Sequence, residues 1–341
     1  MYDLLIVGAG ITAATIVAKL RTRLRICVVD CRDHIGGNCS DYASDGTYIH
    51  QFGPHIFHCP STRIVTFLNE FTEWVPHTHR VIAEIHDAGE FRYVPFPYCR
   101  QTIEKLGRSL TESEIIDRFF RGYSQKMWGL SWEQLPQSVR ARIPVAPSDE
   151  PLYYRDRFVA LPRRGYTHML ANMLDGAELI LGAPPNEWMR IQAKSVIYTG
   201  RPDLIPVPGG SETIGRREGL TLGYRTLDIS WGTERLPTEA ICLHACSTER
   251  PWTRKTCFSR MTGGTSNLIS TEFPRQAEDE DLSPFYPIEL PQNLEKFAVL
   301  SREIGRHYPN LHLAGRLGSF RYFDMYQAVG QALALADRLW N

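Results

Sequence analysis

Net charge is what this 341-residue sequence lacks: Lys and Arg total 38, Asp and Glu total 38, and the formal net charge is +0. A balanced chain has no broad basic footprint for nucleic acid or an anionic membrane, so any anionic ligand must be held by local charge. No apolar run is long enough to span a bilayer. The eight cysteines (Cys27, Cys31, Cys39, Cys59, Cys99, Cys242, Cys246 and Cys257) include no CxxC pair and form no tight framework, which favours reduced thiols over a disulfide scaffold. MYDLLIV begins a strand at once, with no basic leader region and no cleavage site. The expectation is a soluble cytoplasmic protein with no nucleic-acid or membrane partner. No internal repeat or low-complexity tract is present. The acidic run Ala277 to Asp281 and the pairs Arg163-Arg164 and Arg216-Arg217 read as solvated loops.

What is present exceeds one hydrophobic core, so two or three subdomains are expected. Leu4 to Val7 are apolar and end in GAGITA; an apolar-periodic segment follows to about Leu20, then the strand RICVVD. This is a β-α-β unit. Short strands, RVIAEIH and FRYVPF, follow. Between Arg100 and Arg142 the texture is helical (TIEKLG, TESEIIDRFFRGYSQKMW and WEQLPQSVRARI), with Thr111 and Glu114 at capping-box spacing. The proline-rich FPYCR and IPVAPSDEPLYY flank this insert as linkers or hinges. AELILGA, SVIYTG, TLGYRTLDISWG and TEAICLHAC read as strands, and MYQAVGQALALADRLW as a final amphipathic helix after Asp324. Distant segments are therefore expected to complete the first unit.

Gly8, Gly10 and Ala13 fit G-x-G-x-x-[GA] between a strand and a helix, where backbone N–H groups and the helix dipole favour a pyrophosphate. Asp30 ends the second strand, where its carboxylate can hold ribose hydroxyls. Strand, helix and acid together outweigh a tight turn with no ligand. A second glycine loop, Cys31 to Asn38, follows at once; NAD does not need it, so it points to a larger cofactor. HQFGPHIFH, His50 to His58, puts three imidazoles within nine positions, with Cys59 adjacent. Zinc is one reading. A sharp Gly53-Pro54 turn lying against a flat ring suits the stretch better, and His50 serves a core role as readily as a functional one.

The run from Asp30 to Asn38 resembles the flavin-binding class that includes amine oxidases and UDP-galactopyranose mutases. IHQFGPHIFH is similar to the histidine segment of the UDP-galactopyranose mutase family. FFRGYSQKMWG, LPQSVRARIPV, LPRRGYTHML, LGYRTLDI, PWTR, FYPI and AGRLGSFRYFDM follow in that family's order. The resemblance implies an α/β fold: an FAD-binding Rossmann-like domain with an inserted small helical domain and an antiparallel β-sheet domain. Residues 1–80, 180–230 and 305–341 are expected to form the first, 98–145 the helical nucleotide-binding insert, and 81–97, 146–179 and 231–304 the sheet.

The implied activity is a mutase interconverting the pyranose and furanose forms of a nucleotide sugar, UDP-galactose by default, through a covalent adduct on N5 of reduced FAD. The resemblance places Gly8, Gly10, Ala13, Asp30, Arg32, Gly37, Asn38, His55, Arg316, Asp324 and Met325 at the cofactor. It gives catalytic positions to His55, His58 and Arg254, with no metal. His79, Phe119, Phe120, Tyr123, Trp128, Tyr153, Arg254, Tyr286 and Tyr322 are implied at the substrate, with Arg254 on the diphosphate.

The sequence departs from the family where its PVRF loop carries an arginine and this chain has Ala146; Arg155, Arg157, Arg163 or Arg164 would have to replace that cation. His79 stands where asparagine is common and Met127 where glutamine is usual, so both bear on sugar or nucleotide choice. The segment before Phe119 is short where the family builds a dimer contact, so a homodimer is only one of the possible states. The alternatives are the same chemistry on a dTDP-, GDP- or UDP-deoxysugar, an FAD-dependent oxidoreductase, or a binding relative without turnover.

Overall fold

The computed structural model describes residues 1–141 and 143–340. Arg142, within the expected helical run WEQLPQSVRARI, lies outside them. Strand β1 (Tyr2–Val7), helix α1 (Ile11–Leu20) and strand β2 (Ile26–Val29) open the chain. Their strands join a five-stranded parallel sheet in the order Glu178–Ile180, β2, β1, Ala193–Tyr198, Leu311–Leu313.

Successive side chains on a strand point to opposite faces, and here both faces are covered. Leu4, Ile6, Ile26 and Val28 pack on the side of α1, helix Gly165–Leu174 and helix Met325–Trp340. Leu5, Cys27 and Val29 face the other way, against Leu300 and Ile304 of helix Pro291–His307.

The second body is a seven-stranded sheet in the order Tyr286–Pro287, Tyr224–Gly232, Ile269–Gln276, Arg254–Cys257, Cys242–Ala245, Val81–Asp87, Glu90–Phe96. It is antiparallel except for the pair Cys242–Ala245 and Val81–Asp87. The insert rides on its far edge, where Ile115 and Phe119 pack with Val81, Ile85, Val94 and Phe96. Thr111 and Glu114 form the expected capping box, with Thr111 N–H donating to Glu114 Oε2 at 2.9 Å. Instead of one long helix, Ile116–Arg121 widens into a π-helical turn between Glu112–Ile115 and Gly122–Trp128.

Several segment assignments differ from expectation. Tyr224–Gly232 pairs with Ile269–Gln276 rather than joining the parallel sheet. Gly165–Leu174, the first two residues of Glu178–Ile180 and most of Pro291–His307, expected with the second sheet, belong to the first body. An apolar stripe such as Met169, Leu170 and Met173 states that a face will be buried but not against which sheet. The acidic run at 277–281 is exposed at Glu278, Asp279 and Glu280, as expected of a solvated loop, and is also anchored. Arg201 donates to the carbonyls of Glu278 (2.7 Å) and Asp281 (3.2 Å), Arg275 pairs with Asp281 at 2.7 Å, and Arg216 pairs with Asp279. Arg201 and Arg216 are remote in sequence, so local composition could not reveal their part in the anchoring, whereas Arg275 stands two residues before the run.

Candidate functional site

A cleft of about 1340 Å³, counting its space open to solvent, runs along the C-terminal edge of the parallel sheet. α1 begins there with Gly10 as N-cap, without a capping side chain and without an acid in its first turn, so its leading N–H groups are available to an anion. The glycines are required by space. Gly8 has φ +105°, and a Cβ there would stand 2.1 Å from Thr199 Oγ1. Gly36 (φ +98°) and Gly37 (φ +56°) fold the second loop onto the first: Gly36 N–H donates to Ala9 O at 2.9 Å, and a Cβ on Gly37 would lie 3.3 Å from Gly10 Cα. Such a double glycine cradle admits a dinucleotide's phosphates against bare backbone.

Asp30 couples the two loops, accepting from Ala9 N–H at 2.6 Å and from Arg32 N–H at 2.9 Å. Each carboxylate oxygen has a second lone pair, so ribose hydroxyls remain bindable. Arg32 donates to Asn38 Oδ1 at 2.9 Å and lies over the Phe52 ring. Burial lowers the Arg32 pKa despite the neighbouring Asp30 charge. Arg316 donates to the carbonyls of Phe285 (3.1 Å) and Phe323. Gly8, Gly10, Asp30, Arg32, Gly37, Asn38, His55, Arg316, Asp324 and Met325 all line the cleft. Ala13 does not; it is fully buried in the core, where its small size lets α1 approach the sheet.

The turn His50 to His55 is locally wired. His55 N–H donates to His50 Nδ1 at 3.0 Å, and His55 Nδ1 sits 2.8 Å from Gly53 O. Burial lowers the His55 pKa to about 4, with help from Arg316 and Arg254. His58 points elsewhere: its Nδ1 is 2.6 Å from Asp156 Oδ2, and its ring stacks on Tyr154 with centroids 4.3 Å apart. Among the described residues, no group of three or more His, Cys, Asp or Glu could hold a metal ion.

Arg254 occupies the centre of a row built by strand register. It lies directly opposite His244 on one side and Glu272 on the other. Directly paired residues share one face of a sheet. Burial opposes the charge of Arg254, but Glu272 and nearby phenols outweigh it, and its pKa is raised well above the ordinary value. Around this row stand Tyr123, stacked on His244 at 5.1 Å, and Tyr153, set edge-on to both His244 (5.8 Å) and His79 (5.5 Å).

The remaining expected substrate residues divide. Trp128, Tyr286 and Tyr322 form a ring cluster with centroids 4.9 to 5.6 Å apart. The Tyr286 hydroxyl donates to Met127 O at 2.6 Å, leaving its oxygen to a ligand only as an acceptor. Phe119 and Phe120 are 1% and 7% exposed inside the insert core, so neither presents an open ring face for a base. Ala146, Arg155, Arg157, Arg163 and Arg164 are exposed, and Arg163 pairs with Glu73 at 2.8 Å. Sequence reasoning missed Glu272, His244, Asp156 and Lys126. The first two carry a usable signal: Glu272 is the single charged residue of ISTEF, and His244 is the single imidazole in the otherwise apolar CLHA.

Fold and cleft define a Rossmann-like dinucleotide-binding enzyme class with a second sheet and a helical insert. The Rossmann-like NAD(P)-binding domain model matches residues 6–71, and the UDP-galactopyranose mutase model matches residues 118–322, more than half the chain. The chain belongs to the UDP-galactopyranose mutase family, whose named members are mutases and hence isomerases. It is 29% identical to the probable UDP-galactopyranose mutase of Klebsiella pneumoniae, over 98% of this chain and 94% of that protein. It is 26% identical to the dTDP-fucopyranose mutase of Escherichia coli, over 99% of this chain and 98% of that protein. A crystal structure of reduced UDP-galactopyranose mutase shares the fold at TM-score 0.70 and 15% identity, covering 99% of this chain and 95% of that one.

Proposed function

We propose that this chain interconverts the pyranose and furanose forms of a nucleotide hexose, with UDP-galactose as the default substrate and FAD held in the glycine-lined cleft. The observation that carries the reading is the position of Arg254. It is a fixed cation, paired with Glu272 and set among the rings of His244, Tyr123 and Tyr153, and its charge reaches His55 in the cofactor cleft. Reduced FAD bound in the cleft supplies N5 as a nucleophile for the anomeric carbon.

The chain's own residues then have separable tasks. Arg254 meets the departing diphosphate with a two-pronged guanidinium, where preorganised charge is worth most. Glu272 fixes that guanidinium through Nε and Nη2, each 2.7 Å from Oε2. His55, kept neutral, borders the ring end of the cleft without adding a second cation. Tyr322, half-buried, is the member of its ring cluster with a face open to the nucleoside, and Trp128 and Tyr286 pack behind it, whereas Phe119 and Phe120 lie in the separate core of the insert.

A deoxyhexose substrate is the second reading, and the likeness to a dTDP-fucopyranose mutase favours it. Product analysis with UDP-galactofuranose tests the first: conversion to UDP-galactopyranose is expected with dithionite-reduced protein and not with oxidised protein. No conversion in either state, from yellow and folded protein, removes UDP-galactose as substrate.

A further inference from the structure

Residues 321–324 lie in no helix or strand, yet they join the two halves of the site. Tyr322 belongs to the ring cluster of Trp128 and Tyr286, while Phe323 and Asp324 line the cofactor cleft. Such a segment must find partners for its backbone elsewhere. Phe320 anchors its start: it is fully buried at φ +49°, and its ring meets those of Tyr224 (centroids 5.4 Å apart) and Phe297 (5.6 Å). Arg321 N–H donates to Arg316 O at 3.0 Å and Asp324 N–H to Gln327 Oε1 at 2.8 Å, so both ends are held by near neighbours in sequence. The middle is held from afar. Tyr322 N–H donates to Oε1 of Glu289, 33 residues earlier and just beyond the edge strand Tyr286–Pro287 of the seven-stranded sheet. The other oxygen, Oε2, lies 3.4 Å from Arg321 Nη1.

Glu289 does not line the cofactor cleft, and a carboxylate has no attraction for a diphosphate. What it holds is the backbone of Tyr322, while Arg316 holds the carbonyl of the next residue, Phe323. With both sides of Tyr322 tied, the direction of its half-buried ring is set before a ligand arrives, which removes an ordering cost from binding. A carboxylate accepting from a backbone N–H makes a charge-assisted bond, stronger than a neutral one. We propose that Glu289 is a positioning residue for the nucleotide, acting through Tyr322, whose ring it aims at the nucleoside. This assignment rests on the mutase reading above.

The probes are UDP and dTDP, titrated into flavin-loaded protein and read by flavin fluorescence. Glu289→Ala is expected to raise the dissociation constant by about 10-fold, because the bond that orients Tyr322 is lost. Glu289→Gln keeps an acceptor at the same reach and is expected to stay within about 3-fold of the unaltered protein. Adding Glu289→Ala to Tyr322→Ala, where no ring remains to be aimed, is expected to cause no further loss, since residues acting as one unit are non-additive. A glutamate that only stabilises the fold would lower the melting temperature without this pattern. Glu289→Asp keeps the charge and shortens the reach; it carries the test if the alanine variant does not fold, with a loss of about 3-fold or more expected. Unchanged affinity in the alanine or aspartate variant, equal damage by glutamine and alanine, or additive losses in the double variant would each overturn the role of Glu289. Failure of the unaltered protein to bind either nucleotide would overturn the nucleotide-sugar reading itself, and this role with it.

Discussion

Arg254 and Glu272 are paired across neighbouring antiparallel strands, and both Nε and Nη2 of the arginine lie 2.7 Å from the same carboxylate oxygen, Oε2. Glu272 is fully buried, and its Oε1 has no hydrogen-bond partner among the described residues. That orphan oxygen lies against the Gly53 turn, 2.9 Å from where a Cβ at position 53 would stand. One carboxylate thus holds the diphosphate-binding candidate on one side and abuts the histidine turn on the other. Burial raises its pKa, and Arg254 counters that rise.

Removing one member of this pair leaves the other charged and buried. Arg254→Ala is expected to destabilise the fold by about 3–5 kcal/mol, measured by urea unfolding. Arg254→Leu combined with Glu272→Leu is expected to recover most of that loss, because the uncompensated charge is gone. Arg254→Lys keeps the charge without the fork, and a fall of about 10²-fold or more in kcat/KM is expected. Retention of full activity by the lysine variant would show that geometry at this position does not matter.

The cofactor cradle makes a sharper, steric prediction. Gly8→Ala puts a Cβ on a backbone with φ +105°, at 2.1 Å from Thr199 Oγ1, and is expected to yield colourless protein. Gly53→Ala also meets a positive φ, +86°, and crowds Glu272 Oε1. It should cost about 1–2 kcal/mol from the backbone alone and weaken flavin retention by displacing His55. Flavin content by absorbance after desalting distinguishes the two, with the larger loss expected at Gly8.

Much of this site is legible in the sequence because its signals are local. GAGITA, Asp30 and IGGN fall in one stretch of forty residues, and each has a backbone reason to be where it is. The residues His244, Arg254 and Glu272 carry individual signals, but their alignment in one row is not legible, because the register of three successive strands creates it. Docking of helix Gly165–Leu174 is hidden for the same reason: Asp41, more than a hundred residues earlier, accepts from the N–H groups of Tyr166 (2.6 Å) and Thr167 (2.9 Å). Phe119 and Phe120 show the opposite failure. Aromatic residues in a functional segment pack inward there, and only burial tells a platform from a core residue.

Lys126 carries a prediction about the loop bearing PWTR. Its Nζ lies 2.7 to 3.1 Å from the carbonyls of Ala245, Ser247, Arg250 and Trp252. Lys126→Met preserves the stem and removes the donors, leaving those carbonyls short of partners. A loss of about 1.5–3 kcal/mol is expected for each charge-assisted bond not replaced by water, so the total is limited by how far the loop opens. Amide exchange should rise across residues 245–253 first. Unchanged exchange there would show that the lysine is dispensable to the loop.

The histidines set the acid limit of stability. His50, His55, His77, His79 and His244 all have pKa values lowered first by burial, to about 4 for His55 and His77 and about 3 for His79. Unfolding returns each to about 6.5. The unfolded chain therefore binds more protons than the native one between pH 6.5 and 4, so stability rises with pH through that window and falls as the pH is lowered from 6.5. The unfolding temperature should be flat between about pH 7 and 8, where the lowered Lys126 begins to titrate, and drop steadily below pH 6.5, with proton uptake on unfolding measured calorimetrically in buffers of different ionisation enthalpy. His77→Gln, which cannot protonate, should make that acid slope shallower without removing it, because the other lowered histidines, His312 among them, remain. A slope unchanged by this substitution would mean that His77 accepts its proton without unfolding.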